Sequence, residues 1–591
     1  MFNRIISLPI IPIRTNATFI VTMLALGTIS DIFIGCRGSR LWGLAELWFD
    51  VYITACILTL FPTKIRRFAT RSIYVITYSL AIIDGYLYYA TGQAITPHLI
   101  TLIALTNARE AGEAIQVYIS LKPFLTPWIL IWGLILVHKF ILNKKDLNNV
   151  VNNIFNHINN HQLTIISSLI VASNIGIGSC IWQDKVYKHL RLTLGMTELE
   201  TQKTIDLSPF IYYKQPLYRL INSLQEYLTH RNAIQQLTQN INTGTVTSCS
   251  FVSPNIIFII GESLNKHHTQ LYGYNLPTTP NQTHHLKKGN LITFTDAIAS
   301  WNTTCESLQN IFSLAYYGGK EAWYESPFFT TLFRKAGYDV NFLSNQYTLD
   351  ITQSMSNYIE DIFINIPYIS DLQFTHRNPQ RYTYDDELLN DLNEIPASPK
   401  SPTLTILHFS GSHFEFSERY PATQRYFTAR KYHRPDLTQE QLEVLAHYDN
   451  SIRFNDSIIG KIIQRYEEKS AIIVHLADHG ERVFDLGDGF GRSLGNTYAE
   501  IKSQFEIPMW IWCSDLYKQQ HPDIWAAIQR NHTQPYMTDA IAHTLLFLAG
   551  INSPEYLPTL NILSEQYDAQ RKRIIRSSAN YDDIVKSQKG D

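Results

Sequence analysis

The segment AIIVHLADHGE, residues 471–481, is a short apolar run that ends in Asp478 and His479. Three other segments are also apolar runs that end in polar side chains. They are NIIFIIGES with Glu262 (255–263), VNFLSNQ with Asn345 (340–346) and LTILHFSGSH with His413 (404–413). Apolar runs that alternate with helical patterns predict a largely parallel α/β sheet. Ligands of such sheets bind beyond the carboxyl ends of the strands, so we expect these polar side chains at one shared site.

The segment ASWNTTCESLQNIFS, residues 299–313, places two threonines before an apolar pattern with helical spacing. Thr303, with Glu306 three residues later, fits a capping box. Thr304 then takes the first helical position, where the helix dipole favours negative charge on a ligand or an alkoxide. This segment alone leaves open whether Thr304 is an ordinary helical residue or a nucleophile.

The side chains of Glu262, Asp478 and His479 are of the kinds that zinc binds, and the hydroxyl of Thr304 would complete a four-coordinate site. A dication lowers the pKa of a coordinated hydroxyl and polarises a phosphoryl oxygen. Each residue also has an ordinary structural interpretation, since Asp-His pairs often follow strands and a glutamate there often caps a helix. The combination, rather than any single residue, predicts a zinc site.

The first 185 residues hold five long apolar stretches, each near the ~20 residues that a membrane helix needs. We place them at 16–35, 42–62, 72–92, 124–142 and 163–182. Some contain acidic residues, which leaves a buried soluble helical domain as the alternative. Five such stretches in a row favour membrane spans. The first stretch lacks a clear A-x-A cleavage site after it, so we treat it as a retained anchor.

Basic residues indicate how these spans are oriented. They cluster between the second and third stretches and at the end of the fourth: Lys64, Arg66, Arg67 and Arg71, then Lys139, Lys144 and Lys145. The positive-inside rule makes both loops cytoplasmic. An odd number of spans then exports everything after about residue 183. We expect a multi-pass membrane protein whose C-terminal part lies on the side opposite the cytoplasm.

The composition restricts the partners. The chain has 591 residues and a net charge of −2, without a basic domain or stripe, so we expect no nucleic-acid partner. Six cysteines are too few to suggest a disulfide framework. We predict a five-helix transmembrane domain (1–183), an amphipathic helical linker (184–248) and a catalytic domain (249–591), acting as a monomer.

Several segments, taken in order, resemble those of the membrane-bound phosphoethanolamine transferases, a branch of the alkaline phosphatase and sulfatase superfamily. They are IIGESLNKHHTQLYGYNLPTTP, NTTCESLQNIFS, FLSNQ, HFSGSHFEFSERYP, YDNSI and LADHGERVFD. The resemblance covers nearly the whole chain. It implies a multi-span helical membrane domain followed by an α/β periplasmic domain of alkaline phosphatase/sulfatase type.

The resemblance also implies roles for individual residues. Zn²⁺ would be held by Glu262, Thr304, Asp478 and His479, and Thr304 would carry the phosphoethanolamine intermediate. His413 would hold the phosphoryl group or assist proton transfer. The remaining substrate-binding candidates are Thr106, Glu110, Asn345 and Arg492. Thr106 and Glu110 match a segment thought to bind the ethanolamine amine, although Leu102 stands where the family has an asparagine.

Arg492 departs from the family pattern, which usually has a histidine at the end of F-x-G-H where this chain has GDGFGRS. Arginine cannot act as a general acid at neutral pH, but it pairs well with phosphate. We therefore predict that Arg492 contacts the donor phosphate. The alternatives are a solvated loop arginine and an inactive homologue.

The implied reaction is a two-step transfer of phosphoethanolamine from phosphatidylethanolamine in the bilayer to a lipopolysaccharide sugar. The segments LSNQ and DHGERVFD resemble the family branch that modifies lipopolysaccharide core sugars or periplasmic glucans. This resemblance implies a core sugar such as heptose, with lipid A and glucan kept open as acceptors. One alternative is a phosphoglycerol or other head-group transferase that uses the same metal and threonine. The other is a non-catalytic membrane scaffold, which the departures at Leu102 and Arg492 would suit.

Overall fold

The structure is a computed structural model that describes residues 8–34, 40–91, 95, 127–142, 147–181, 216–346, 362–395, 401–485, 489–492, 498–576 and 579–588. Several predictions lie outside these residues: the amine-binding role of Thr106 and Glu110, the loop lysines 144 and 145, and the first half of the linker. Contacts between Cα atoms divide the chain into an N-terminal unit, Met1–His230, and a C-terminal unit, Arg231–Asp591.

The described part of the N-terminal unit is helical, and its helices overlap all five apolar stretches. Its described α-helices are α1 (Ile11–Thr15), α2 (Ala17–Ile34), α3 (Arg40–Leu60), α4 (Thr63–Thr91), α5 (Pro127–Val137), α6 (Leu147–Asn156) and α7 (Asn160–Ile181). A further helix, α8 (Pro216–Asn240), contains the boundary between the units. A core of apolar side chains from α2, α3, α4 and α5 holds the unit together, with Leu26 and Ala55 fully buried.

Length and composition alone make one described helix, Asn160–Ser179, able to cross a membrane. The helices Leu8–Thr15 and Ala17–Ser30, bent by 77° at their junction, would add a second span if they act as one. Many apolar side chains of this unit point outward, among them Leu60, Phe68 and Leu169, which are 64–83% exposed. Outward apolar surface on long helices is what a bilayer requires.

A seven-stranded sheet with the order β3-β9-β8-β2-β7-β5-β6 forms the centre of the C-terminal unit. Its strands are β2 (Asn255–Gly261), β3 (Leu291–Phe294), β5 (Asp339–Ser344), β6 (His376–Arg377), β7 (Thr403–His408), β8 (Ile472–Ala477) and β9 (Met509–Cys513). The four apolar runs of the sequence are β8, β2, β7 and β5, which pair in parallel, as predicted. The antiparallel strands β9 and β3 extend one edge.

Helices and short ribbons surround this sheet. The helices are α9 (Pro280–Lys288), α10 (Thr304–Phe312), α11 (Phe329–Ala336), α12 (Ile362–Asn365), α13 (Pro367–Gln373), α14 (Leu388–Glu394), α15 (Gln439–Tyr466), α16 (Tyr498–Phe505), α17 (Asp515–Gln520), α18 (Pro522–Asn531), α19 (Ile541–Ala549) and α20 (Tyr581–Gln588). The short strands are β1 (Ser248–Cys249), β4 (Ala297–Ile298), β10 (Tyr536–Met537), β11 (Ile551–Asn552), β12 (Ile574–Ile575) and β13 (Ala579–Asn580).

Both faces of the sheet are covered, which explains why its central strands are continuous apolar runs instead of alternating ones. Every residue of β2, β7 and β8 is buried. Along β2, Phe258 belongs to the core on one face and Ile257 and Ile259 to the core on the other. Because these cores hold the central strands in place, the loops at their carboxyl ends start from fixed positions.

Candidate active site

Neighbouring strands bring two carboxylates together. Gly261, the last residue of β2, is in register with Ala477 at the end of β8. The next residues along the chain are Glu262 and Asp478, and the Asp478 amide donates to the Gly261 carbonyl at 2.9 Å. Both carboxylates are completely buried.

His479 adds an imidazole to this pair. Its Nε2 lies 3.5 Å from Glu262 Oε1 and 3.3 Å from Asp478 Oδ2. Its Nδ1 lies 2.8 Å from the Gly480 carbonyl, which can only accept, so we assign the proton to Nδ1. Nε2 therefore presents a lone pair to the two carboxylates.

Helix α10 supplies the fourth side chain. Thr304 is its first residue, and Oγ1 donates to Glu262 Oε2 at 3.0 Å and lies 3.3 Å from His479 Nε2. Apolar residues of the helix are buried in the core of the C-terminal unit: Leu308, Ile311 and Phe312. Asn302, just before the helix, donates to Gln504 Oε1 at 2.9 Å. These contacts hold the N-terminus of α10 at the carboxylates.

Thr303 occupies the predicted cap position, but it does not make the predicted cap. Its backbone is extended and its hydroxyl accepts no bond from the first turn. The hydroxyl instead donates to the Glu306 carboxylate. Thr303 and Glu306 are thus paired, but by a hydrogen bond between their side chains instead of by a helix cap.

The donor atoms fit a metal ion. Glu262, Asp478 and His479 each offer one atom, and these atoms lie within 4.8 Å of one another. Among the described residues, Asp478 Oδ2 is buried without a hydrogen-bond partner. It faces the Nε2 lone pair of His479 at 3.3 Å. A cation placed between this oxygen and the lone pair would bind both, and carboxylate, imidazole and hydroxyl ligands suit zinc.

The pKa values point in the same direction. Burial, followed by the charge of Glu262, raises the pKa of Asp478 well above its ordinary value. Burial lowers the pKa of His479 to about 3, and the charge of Arg492 adds to this effect. Protein groups alone therefore leave the pocket short of positive charge. A dication would lower the pKa of Asp478 and stabilise the carboxylate form.

A tight backbone approach brings the His413 segment to Glu262. Gly411 has φ +51°, and a Cβ at this position would lie 2.8 Å from the Glu262 carbonyl oxygen. The Asp385 carboxylate accepts hydrogen bonds from the amides of Ser410 and Gly411, both at 2.8 Å. His413 follows this turn, with its Nδ1 2.6 Å from the Phe414 carbonyl. Its Nε2 is thereby left as the acceptor.

Arg492 lies beside the cluster. Its Nε is 3.4 Å from Glu481 Oε2, and its side chain is 28% exposed. Within the described part of the chain, the other oxygen of Glu481, Oε1, is buried without a hydrogen-bond partner. Arg492 is therefore anchored on one side by Glu481 and open to solvent on the other.

Asn345 supports the site without joining the cluster. Its side chain is fully buried. The side-chain nitrogen donates to Asp385 Oδ1 at 3.0 Å, and the side-chain oxygen accepts from the backbone N–H of Tyr382 at 2.7 Å. Its predicted contact with substrate stays a prediction. The next residue, Gln346, reaches the cluster and donates to Glu262 Oε2 at 2.9 Å.

Sequence reasoning missed three residues around the cluster. Gln346 directly follows Asn345 after β5, but a role was predicted for Asn345 only. Ser263 donates to Glu262 Oε1 at 2.6 Å, and Glu481 pairs with Arg492. Ser263 directly follows Glu262, and Glu481 lies two residues after His479. Their positions next to predicted ligands could have identified both.

Comparison with known proteins gives the family. A family model described as Sulfatase matches residues 254–551. This chain belongs to the sulfatase family. Over 522 residues it is 25% identical to the phosphoethanolamine transferase EptC of Escherichia coli O18:K1:H7, covering 86% of this chain and 84% of the relative. The predicted resemblance is therefore confirmed.

Two solved structures are similar. A zinc complex of the C-terminal periplasmic domain of EptC from Escherichia coli has a TM-score of 0.50 at 25% identity, covering 58% of this chain and 94% of that domain. The integral membrane lipooligosaccharide phosphoethanolamine transferase A of Neisseria meningitidis has a TM-score of 0.54 at 17% identity, covering 94% and 97%. The predicted fold class, a helical membrane domain with a sulfatase-type domain, is confirmed.

Proposed function

We propose that this protein transfers phosphoethanolamine from phosphatidylethanolamine to a lipopolysaccharide sugar, a core heptose or lipid A, through a covalent intermediate on Thr304. The observation that carries the proposal is the hydroxyl of Thr304 at a helix N-terminus, 3.0 Å from Glu262 and 3.3 Å from His479. The names of the relatives supply the group that is transferred. The chain would act from the bacterial inner membrane, with several spans and a periplasmic catalytic unit.

Glu262, Asp478, His479 and Thr304 would hold Zn²⁺. Bound there, the ion would lower the pKa of the threonine hydroxyl and offset charge on the phosphoryl oxygens. The backbone amides at the start of α10 would stabilise developing negative charge. Arg492, with its open side toward solvent, would pair with the donor phosphate.

The transfer has two balanced steps. In the first, Thr304 Oγ1 loses its proton and bonds to phosphorus, the phosphorus–oxygen bond to diacylglycerol breaks, and that oxygen gains a proton. In the second, an acceptor hydroxyl loses its proton and bonds to the same phosphorus, and Thr304 leaves and is protonated again. His413, whose Nδ1 lies against the Phe414 carbonyl, would use its Nε2 to assist proton transfer in both steps.

Intact-mass spectrometry after incubation with phosphatidylethanolamine tests this proposal. Wild type should gain the mass of one phosphoethanolamine group, and Thr304→Ala should gain none. Thr303→Ala is the matched control, because its hydroxyl bonds to Glu306 instead of the cluster, and it should retain the adduct. An adduct that persists in Thr304→Ala, or none in zinc-loaded wild type, would contradict the covalent mechanism.

A further inference from the structure

Two exposed phenylalanines lie on the segments that carry His413 and Arg492. Phe414 directly follows His413, and Phe490 precedes Arg492 by two residues. Their side chains are 48% and 36% exposed, and their ring centroids are 5.7 Å apart. We call these two residues the phenylalanine pair. It forms a continuous aromatic surface between two segments of the candidate site.

The phenylalanine pair rests on buried rings. Phe416 and Phe484 are 3% and 5% exposed. Phe416 lies 5.6 Å from Phe414 and 6.0 Å from Phe490, and Phe484 stacks on Phe490 at 5.2 Å. Phe416 also contacts Tyr448 of α15 at 4.9 Å. The two exposed rings are thus held by a packed base and are not isolated side chains on a loop.

Backbone hydrogen bonds fix Phe490 as well. The amide of Phe484 donates to the Gly489 carbonyl at 2.9 Å, and the amide of Gly491 donates to the Arg482 carbonyl at 3.0 Å. The chain that leaves His479 therefore returns to place Phe490 beside Phe414. This return also brings Arg492 to Glu481, so the aromatic surface and the anchored arginine form one arrangement.

The charge of Arg492 and the covalent structure of a phospholipid indicate what the phenylalanine pair binds. A phosphate held at Thr304 and Arg492 is esterified directly to its leaving group, so the apolar part of a lipid donor begins within a few bonds of phosphorus. Phenylalanine has no polar atom with which to bond a sugar hydroxyl, whereas an acylglycerol offers only apolar and ester groups. In a phospholipid the acylglycerol follows the anionic phosphate. An exposed apolar patch beside the cationic Arg492 has the matching order of groups.

We propose that the phenylalanine pair binds the diacylglycerol part of the donor lipid next to its phosphate. This inference rests on the proposed function. Contact between the acyl chains and the two rings removes apolar surface of both from water, which stabilises the bound donor. Loss of one ring should therefore weaken the use of long-chain donors by about tenfold. The use of a donor that lacks long chains should fall far less.

The test measures kcat/KM of the full chain in detergent with dipalmitoyl and with dihexanoyl phosphatidylethanolamine. Phe414→Ala and Phe490→Ala should each lower the ratio of long-chain to short-chain kcat/KM by about tenfold. Phe414→Leu, which keeps much of the apolar surface, should restore most of the ratio. Tyr368→Ala is the matched control, since Tyr368 is another exposed aromatic residue, at 55%, outside the site.

Four results would overturn the inference. An unchanged ratio would show that the rings do not contact the acyl chains. An equal loss with both donors would give the rings a structural role. A rise in KM for the lipopolysaccharide acceptor alone would assign the surface to the sugar. If the wild type uses neither donor, the proposed function and this inference are both overturned. If the wild type is active, any of the other results overturns this inference and leaves the proposed function standing.

Discussion

Gln346 holds one oxygen of the Glu262 carboxylate. Its amide donates to Glu262 Oε2 at 2.9 Å and to the Phe409 carbonyl at 2.8 Å. Ser263 holds the other carboxylate oxygen at 2.6 Å. Hydrogen bonds of this kind orient metal ligands and typically change metal affinity by about 10–100-fold when they are lost.

We expect Gln346→Ala to weaken zinc binding by about tenfold while leaving the donor set intact. Chelator competition with the purified full chain measures this change. Gln373→Ala is the matched control, because Gln373 is equally buried but bonds to Thr330 away from the site. Equal affinities for Gln346→Ala and Gln373→Ala would show that Gln346 does not orient Glu262.

At the scale of elements, His268 joins three segments around the site. It lies in a short helical turn after β2, its Nδ1 is 2.9 Å from Asp449 of α15, and its Nε2 is 3.1 Å from Asp485 in the loop after β8. A neutral imidazole carries one N–H and could satisfy one carboxylate only. His268 therefore holds both protons, and its charge fixes the loop that starts at Asp478 and His479.

This link gives stability a pH dependence. Burial by itself would lower the pKa of His268, but the bonds and charges of Asp449 and Asp485 outweigh it and raise the pKa to about 10. The stabilisation is fully present below the ordinary pKa near 6.5 and is lost as pH rises through about 10. Between those values it falls by up to about 1.4 kcal/mol per pH unit.

We expect the thermal unfolding midpoint of the C-terminal unit to fall between about pH 7.5 and pH 9.5, and His268→Gln to flatten this fall. Tyrosines that contact the network, Tyr274 and Tyr432, have raised pKa values and add their own dependence only at higher pH. His376→Gln, at an exposed histidine, serves as the control. The same slope in His268→Gln as in wild type would contradict the charged link.

The elements also show what the sequence can and cannot predict. Apolar runs with polar ends were enough to predict the parallel strands β2, β7 and β8 and to place Glu262 and Asp478 at one edge. The short-range spacing of Thr303 and Glu306 predicted the start of α10. Two details depend on the directions of side chains in the folded structure. One is the atom that Thr303 bonds, and the other is that Gln346 instead of Asn345 reaches Glu262. No periodicity in the sequence encodes those directions.

At the scale of the whole molecule, the predicted zinc site and the apolar helices belong to different units. The C-terminal unit contains Glu262, Thr304, Asp478 and His479, and so holds the whole predicted zinc site. The N-terminal unit contains the apolar helices and the predicted amine-binding residues Thr106 and Glu110. Tethering a catalytic unit to a bilayer raises the effective concentration of a lipid donor without any new contact.

We expect a shortened chain that starts at Pro216, which keeps α8 whole, to bind zinc as the full chain does and to react with glycerophosphoethanolamine about tenfold more slowly, because it lacks the predicted amine contacts of Thr106 and Glu110. Transfer from phosphatidylethanolamine in vesicles should fall by about a hundredfold or more, because the donor is no longer held at the same surface. Thr304→Ala in the full chain gives the background rate. An equal loss with both donors would contradict the effect of tethering. Glu110→Gln in the full chain should reproduce the loss with the soluble donor, which would assign the amine to Glu110.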